Sequence, residues 1–299
     1  MGRLGRVFQR LERVLELGEG VLRDLASAEP SADDYERYRA FRWERGIAGG
    51  RLVATERPVF FDLDDLVGVD GPLETLERNT RQFLAGLPYN NVLLYGERGT
   101  GKSSAVRGLL GRYGEMGLRV VELDRVDLVQ LPRVLAALSS GGDYRFLLFC
   151  DDLSFGPGEV GYRELKAALD GSFEARPDNV CIIATSNRRH LLPQSMAENR
   201  DGRLDAEGEL HLGEALEEKL ALADRFGLVL GFLGFDQPAY LAIVSHYLDR
   251  AGMGEMDDIL REEALRWALS RGNRSGRTAR QFVDDAVGRR KLGAQGFKL

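Results

Sequence analysis

The sequence predicts an α/β fold in which a parallel β-sheet is wrapped by helices. From about residue 60 onwards, short apolar runs alternate with stretches of helical periodicity, as is typical of such a sheet. A glycine-rich loop lies between the first of these strands and the helix that follows it. After Pro238 only helical signals remain, which predicts a small helical lid.

Local patterns place each element along the chain. The expected strands cover residues 91–95, 118–123, 145–150, 180–185 and 228–232. The expected helices cover residues 4–25, 33–45 and 103–113 and, in the lid, 239–250, 257–270 and 276–291. The helix at 4–25 has one apolar face, which needs a partner surface. The stretch 33–45 interleaves aromatic residues with arginines, which favours packing of a small helical cap over contact with a nucleic acid.

Three domains follow from these patterns. Gly46, Gly49 and Gly50 interrupt the helical pattern before Pro58. We therefore divide the chain into an N-terminal helical region (1–58), an α/β domain (59–235) and a C-terminal helical lid with a basic tail (236–299).

The composition indicates a soluble, cytoplasmic protein without a signal peptide or a membrane partner. The 299 residues carry a net charge of −6, and no run reaches the 18 apolar residues of a membrane span. Cys150 and Cys181 each lie in an apolar run, as reduced core thiols do. The three histidines are scattered, without the spacing of a zinc site.

The charge is distributed unevenly. Residues 271–299 hold eight Arg or Lys residues and two Asp residues, a local charge of +6 in an acidic chain. Two interpretations are open for this tail: contact with the phosphates of a nucleotide or a nucleic acid, or an ordinary solvated helical face. The acidity of the whole chain argues against non-specific coating of nucleic acids.

The glycine-rich loop has the spacing GxxxxGK[ST]. Its residues are Gly96, Glu97, Arg98, Gly99, Thr100, Gly101, Lys102 and Ser103, followed by Ser104 on the helix. Glycines let backbone N–H groups turn toward a phosphate, and the helix N-terminus adds its dipole. We therefore expect ATP here, with Lys102 on the β- and γ-phosphates and the Ser103 hydroxyl on Mg²⁺. The alternative is a chance glycine turn with a surface lysine.

Two carboxylates follow the apolar strand at residues 145–150. Asp151 is the expected Mg²⁺ ligand, and Asp152 stands where a general base, more often Glu, polarises the attacking water. An aspartate reaches about 1.5 Å less far than a glutamate, the length of one carbon–carbon bond. A structural acidic pair at a helix N-terminus is the alternative.

These motifs, in this order, resemble the AAA+ ATPases over residues 60–291. The run DLVG at 65–68 is similar to the segment that packs near adenine, through Val67 and Gly68. The resemblance also implies a sensor 1 residue that holds the water or the γ-phosphate, an arginine finger and a sensor 2 residue. These are Asn187, Arg225 and Arg277, with Arg280 as the fallback for sensor 2.

Each of these three residues also has a purely structural interpretation. Asn187 caps a turn, Arg225 forms an internal ion pair with Asp224, and Arg277 is an ordinary surface arginine. Their order and spacing after the loop argue against coincidence.

More narrowly, five runs resemble a bacterial AAA+ family known as a domain of unknown function. They lie at residues 79–83, 149–155, 184–190, 217–219 and 224–227. The wider neighbours are initiator and helicase-loader ATPases. Unfoldases of the superfamily thread substrate with an aromatic loop after the second strand, but residues 124–132 contain no aromatic residue, which disfavours threading. The polar loop at 191–213 is long enough to suggest a function of its own.

We therefore expect a Mg²⁺-dependent ATPase that assembles as a homo-oligomer, with ATP between Lys102 of one subunit and Arg225 of the next. By analogy with the superfamily, it remodels or loads a protein or nucleic-acid partner. The second hypothesis is a nucleotide-controlled binding module that hydrolyses slowly, which Asp152 in place of Glu favours. A small-molecule kinase is the third, and the sensor and finger segments argue against it.

Overall fold

The computed structural model describes residues 30–46, 49–153, 160–170, 177–187, 203–204, 210–211 and 222–294, together with Arg13 and Gly18. The helix expected at residues 4–25 therefore lies, apart from these two residues, outside the described part of the chain. The same holds for most of the polar loop at 191–213.

The strands are β1 (Ala40–Gly46), β2 (Gly49–Ala54), β3 (Val92–Gly96), β4 (Leu118–Glu122), β5 (Arg145–Cys150), β6 (Val180–Ser186), β7 (Arg203–Leu204), β8 (Leu210–His211) and β9 (Leu228–Phe232). Seven of them form one sheet in the order β2-β1-β4-β5-β6-β3-β9. Its neighbours pair in parallel except β1 and β2, which form an antiparallel pair at one edge. β7 and β8 pair with each other.

Helices cover both faces of this sheet. They are α1 (Ala32–Arg37), α2 (Asp70–Leu84), α3 (Lys102–Tyr113), α4 (Leu131–Ser139), α5 (Val160–Asp170), α6 (Gln237–Arg250), α7 (Asp258–Ser270) and α8 (Gly276–Ala294). Alternate residues of β5 serve two cores: Phe146 and Leu148 pack with α4 and α5, whereas Leu147 and Phe149 pack with α2 and α3. Because both faces are covered, the central strands are apolar along their whole length.

The lid has a core of its own. Asp236 and Asp257 cap α6 and α7 by accepting hydrogen bonds from the backbone of Ala239 and Leu260 at 2.9 and 2.8 Å. Tyr240 and its neighbours on α6 pack against α7 and α8 in a cluster separate from the two sheet cores. The division at residue 236 stays a prediction.

The α/β fold, its parallel sheet and its helical lid are confirmed. The five expected strands are β3, β4, β5, β6 and β9, each within one residue of the expected bounds, and the expected helices after residue 100 are α3, α6, α7 and α8. Cys150 and Cys181 are buried free thiols, as expected. No helix in the described part of the chain is long and apolar enough to cross a membrane.

The helical cap expected at residues 33–45 is wrong beyond Arg37. α1 ends there, and the chain then forms β1, in which Phe41 and Trp43 face the core while Arg42 is exposed. This alternation has the period of a strand and not of a helix. Tyr35, Phe41 and Trp43 are at most 5% exposed, so these aromatic rings pack the core and do not contact a nucleic acid.

The boundary at residue 58 is corrected by the same strands. β1 pairs with β4 in parallel and with β2 in antiparallel register, so residues 40–54 are part of the α/β domain. The glycines that suggested a domain break instead lie at the adjoining ends of the two strands, where Gly46 pairs with Gly49 and Gly50 with Arg45.

Candidate nucleotide-binding site

The glycine-rich loop connects β3 to α3 and leaves the first turn of α3 uncapped. Gly101 takes the N-cap position with φ +104°, and no side chain of the described residues caps this helix. Helix N-termini with free N–H groups bind anions well. Residues with a Cβ atom rarely adopt this φ, so the turn requires glycine. A Cβ atom here would also lie 2.6 Å from Leu66 Cδ2.

The Lys102 ammonium lies inside the loop. Its Nζ donates to the carbonyl oxygens of Gly96 at 2.8 Å and Glu97 at 2.7 Å, and to Asn187 Oδ1 at 3.3 Å. Lys102 is only 7% exposed, and this burial is the main cause that lowers its pKa, while Asp151 and Asp152 oppose the shift. A buried ammonium beside carboxylates is suited to exchange its carbonyl partners for the oxygens of an anion.

The end of β5 meets the start of α3 through one carboxylate oxygen. Ser103 Oγ donates to Asp151 Oδ1 at 2.8 Å, and Thr185 Oγ1 on β6 donates to the same oxygen. These contacts bring together a hydroxyl and a carboxylate from different elements. The sequence predicted that Ser103 and Asp151 act together, and the structure places them in contact.

The donor set suits Mg²⁺, which prefers oxygen ligands and is bound in nucleotide sites by one or two carboxylates together with substrate phosphates. Ser103 and Asp151 would supply the protein ligands. Across the described residues no three His, Cys, Asp or Glu side chains converge on one point, so phosphate and water oxygens would complete the shell.

Asp152 lies next to this pair in an unusual backbone conformation. Its φ is +50°, the only positive value among the non-glycine residues that the structure describes. Its side chain accepts a hydrogen bond from Asn187 Nδ2. Asn187 thus contacts both Lys102 and Asp152, which places the expected sensor between the expected base and the lysine.

A cavity of about 780 Å³ lies between the loop, the ends of β5 and β6 and the lid. Its volume is within the range of small-molecule sites. The predicted residues in its wall are Val67, Arg98, Gly99, Thr100, Gly101, Lys102, Ser103, Ser104, Asp151, Asp152, Asn187, Arg277 and Arg280. Its apolar side contains Phe61, Leu66, Phe235, Ile243 and Tyr247. Such a cavity suits a nucleotide, whose phosphates are charged and whose base is flat and weakly polar.

Three predicted site residues lie outside the cavity wall and support residues that line it. Gly96 and Glu97 offer their carbonyl oxygens to Lys102, as described above. Gly68 lies beside Phe235, to which a Cβ atom at this position would approach within 3.2 Å.

The lid closes the cavity on two sides. The backbone N–H of Arg277 donates to Gly99 O at 3.3 Å. Across the cavity, Asp65 accepts from His246 Nε2 at 2.8 Å and pairs with Arg250 at 3.0 Å. The lid is thereby connected both to the loop and to the segment that precedes it.

Arg277 and Arg280 differ in their surroundings. Arg280 pairs with Asp284 at 3.2 Å and lies over the Tyr247 ring, 5.3 Å from its centroid. The Arg277 guanidinium forms no ion pair or hydrogen bond with any residue that the structure describes, and its charge contributes to lowering the pKa of Lys102 after the larger effect of burial. This arrangement favours Arg277 as the residue available to a phosphate.

Arg225 does not line the cavity. Its Nε donates to Asp170 at the end of α5, an acid that the sequence interpretation did not consider. Of the expected catalytic residues, the structure thus brings Lys102, Asp152 and Asn187 together and leaves Arg225 elsewhere on the same subunit.

A family model described as "Protein of unknown function (DUF815)" matches residues 36–290. The chain belongs to this family. The match includes β1 and β2 of the DUF815 chain, in agreement with their pairing in the sheet.

The curated relatives and solved structures confirm the AAA+ resemblance. The chaperone protein ClpB of Rickettsia felis is 30% identical over 238 residues, which are 71% of this chain and 23% of the relative. ClpB of Agrobacterium fabrum is 29% identical over 249 residues, 76% of this chain and 24% of the relative. The DUF815 chain therefore spans about a quarter of the length of these relatives.

Two solved structures share the fold at low identity. The Thermotoga maritima RuvB Holliday junction branch migration motor has a TM-score of 0.50 and 17% identity, over 79% of this chain and 66% of that chain. The Aeropyrum pernix ORC1 protein, in complex with DNA, has a TM-score of 0.51 and 16% identity, over 82% and 67%.

The sequence interpretation missed two sets of residues in the DUF815 cavity. The first is Thr185, which contacts both aspartates and lies two residues before Asn187, the expected sensor 1 residue. The second is the apolar wall, in which Phe235 just before the lid and Ile243 and Tyr247 in the lid lie far along the chain from the loop. Helical periodicity predicts that Ile243 and Tyr247 lie on a helix, but it does not indicate which face of that helix meets the cavity.

Proposed function

We propose that this DUF815 protein binds ATP with Mg²⁺ in the cavity and hydrolyses it in order to remodel or load a macromolecular partner. The contact of 2.8 Å between Ser103 Oγ and Asp151 Oδ1 carries the proposal. It joins a hydroxyl at the helix N-terminus to a strand-end carboxylate, immediately beside Lys102. Phosphoryl-transfer sites of the P-loop class need this combination.

The chain's own residues account for the reaction. Lys102 exchanges its bonds to Gly96 O and Glu97 O for the β- and γ-phosphate oxygens. Asp152 accepts a proton from the attacking water, and Asn187, which already contacts both residues, orients that water. A bound Mg²⁺ would neutralise developing phosphate charge.

Assembly completes the site in this proposal. Arg225 lies outside its own cavity and pairs with Asp170. In the assembly it would exchange this ion pair for the γ-phosphate in the cavity of a neighbouring copy. An arginine finger in this role contributes roughly 10³- to 10⁵-fold in rate. The homo-oligomer is thus required for turnover and not for ATP binding.

The slow-hydrolysing switch is the second candidate, and one contact favours it. The carboxylate of Asp152 is engaged by Asn187, and an aspartate already has a shorter reach than a glutamate. If this contact persists when ATP binds, the base does not reach the water, and the lid position reports the nucleotide state.

The partner is a protein or a nucleic acid, as the names of the relatives suggest: a chaperone, a branch migration motor and an ORC1 protein in complex with DNA. We do not expect this protein to thread a polypeptide, because the segment after β4 is packed into the fold. Residues Arg125–Gln130 after β4 form a 3₁₀ helix with Leu128 fully buried against the core, and Asp127 pairs with Arg45 of β1.

Steady-state phosphate release by the 299-residue protein tests the function. Turnover that needs both Mg²⁺ and Asp152 supports the ATPase, whereas tight ATP binding with negligible release supports the switch. We expect the Asp152→Asn protein to bind ATP without hydrolysing it, so it should retain the partner in a pull-down. Asp152→Asn prepared without ATP is the control.

A further inference from the structure

We infer that Thr185 is a positioning residue that holds both aspartates of the site through a single hydroxyl. Thr185 Oγ1 donates to Asp151 Oδ1 and accepts the backbone N–H of Asp152 at 2.8 Å. The residue is 1% exposed. The inference rests on the proposed function, since it concerns how the Mg²⁺ ligand and the base are arranged.

The direction of this hydrogen-bond chain is fixed by chemistry. An ionised carboxylate only accepts hydrogen bonds and a backbone N–H only donates them, so a group between the two must do both. A hydroxyl meets this condition with one hydrogen and two lone pairs, whereas the methyl groups of a valine do not. The backbone adds a third contact, because Leu153 N donates to Thr185 O at 2.7 Å.

The same hydrogen bonds determine which carboxylate oxygen of Asp151 faces a ligand. Asp151 Oδ1 accepts from Ser103 Oγ, Thr185 Oγ1 and, at 3.2 Å, the backbone N–H of Asp152. No hydrogen bond from the described residues ends on Oδ2 of Asp151. Thr185 therefore keeps the side chain turned so that Oδ2 is the oxygen available to a cation.

Asp152 depends on the same hydroxyl for its backbone conformation. Its φ of +50° is rare for residues other than glycine, and the bond from its N–H to Thr185 fixes the turn that carries it. Position 185 also pairs with Leu94 of β3 in the sheet register. Thr185 thus connects the strand that leads into the glycine-rich loop with the strand that ends in the two aspartates.

The neighbouring residue provides a matched control. Ser186 is also 1% exposed, and its hydroxyl donates to Leu153 O at 2.9 Å. Among the described residues, its hydroxyl hydrogen bond ends on the backbone of the same turn and not on a carboxylate. Ser186→Ala therefore removes a buried hydroxyl and a turn contact but leaves the proposed positioning intact.

The test measures how nucleotide binding and turnover depend on Mg²⁺ in Thr185→Val, Thr185→Ser and Ser186→Ala. Fluorescent-ATP titrations with Mg²⁺ and with EDTA give a readout independent of hydrolysis. In Thr185→Val we expect the half-saturating Mg²⁺ concentration to rise about tenfold or more, as loss of a hydrogen bond to a charged group implies. Affinity in EDTA should stay unchanged, Thr185→Ser should restore the Mg²⁺ dependence, and Ser186→Ala should stay within about twofold of wild type.

Two results would overturn the inference: a wild-type Mg²⁺ dependence in Thr185→Val, or an equal shift in Ser186→Ala. Thr185→Ala replaces the valine variant if thermal unfolding shows that the latter does not fold. If the wild-type protein binds Mg-ATP but releases no phosphate, the proposed hydrolysis fails, and the binding titrations still decide the role of Thr185.

Discussion

Replacing Arg225 with alanine separates a site completed between subunits from one that is complete in a single chain. Arg225 lies outside its own cavity, so Arg225→Ala should bind ATP with near wild-type affinity. If the arginine acts on a neighbouring subunit, turnover should fall at least about 100-fold, a conservative lower bound on the effect of an arginine finger. Arg261→Ala, which removes an exposed arginine of α7, is the matched control.

Arg225→Ala should destabilise the fold only slightly, so a loss of turnover can be told apart from a loss of structure. The Arg225 and Asp170 side chains are 25% and 41% exposed, and exposed ion pairs contribute about 0–1 kcal/mol. The midpoint of thermal unfolding should therefore fall by no more than about 2–4 °C. A larger drop would mean that lost activity reflects lost structure.

A mixing experiment completes the assay. Arg225→Ala has an intact loop, and Lys102→Ala has an intact Arg225, so each alone should be inactive in phosphate release. A mixture of the two should recover part of the activity through mixed interfaces. Wild-type turnover in Arg225→Ala, or wild-type activity per subunit that stays constant on dilution to the monomer, would refute the shared site and leave the slow switch as the leading account.

Two further predictions concern the fold. Trp43→Ala should reduce the free energy of unfolding by about 3–5 kcal/mol, because the side chain is 5% exposed and its Nε1 donates to Gln130 at 2.7 Å. Urea unfolding measures this loss, and Arg42→Ala, at the exposed neighbouring position, is the control. A loss in Trp43→Ala as small as that in Arg42→Ala would show that β1 is not part of the core. Burial raises the pKa of Tyr240 to about 12 from 10.0, so the folded state retains this proton between these pH values and the free energy of unfolding falls as pH rises through them. Chemical denaturation from pH 9 to 12 should show a shallower decline in Tyr240→Phe, and identical slopes would contradict the assignment.

The central sheet was predictable because its strands are buried on both faces. Such strands read as continuous apolar runs, and β5 and β9 begin and end at the expected residues. The loop and the two aspartates were predictable for a related reason, since parallel strands place their carboxyl ends at one edge. Ser103 and Asp151 therefore meet, as the motif spacing predicted.

The predictions that were wrong or missing also have physical causes. In β1 the exposed Arg42 lies between the buried Phe41 and Trp43, and over so short a stretch mixed aromatic and basic residues also fit a helical pattern. The contact between Asp65 and His246 joins residues 181 positions apart, and neither residue carries a motif that points to the other. The Arg225 partner, Asp170, ends a helix whose expected position was not assigned from the sequence. Long-range polar pairs of this kind depend on how the lid and helices dock, which local patterns do not encode.

The most direct test of ATP binding at this site is a titration of fluorescent ATP into Lys102→Ala with Mg²⁺ present. Lys291→Ala, which removes an exposed lysine near the end of α8, is the matched control. Without the Lys102 ammonium, the β- and γ-phosphates lose their main cationic partner. We expect binding to be abolished in Lys102→Ala and retained in Lys291→Ala, whereas undiminished affinity in a folded Lys102→Ala protein would contradict the account.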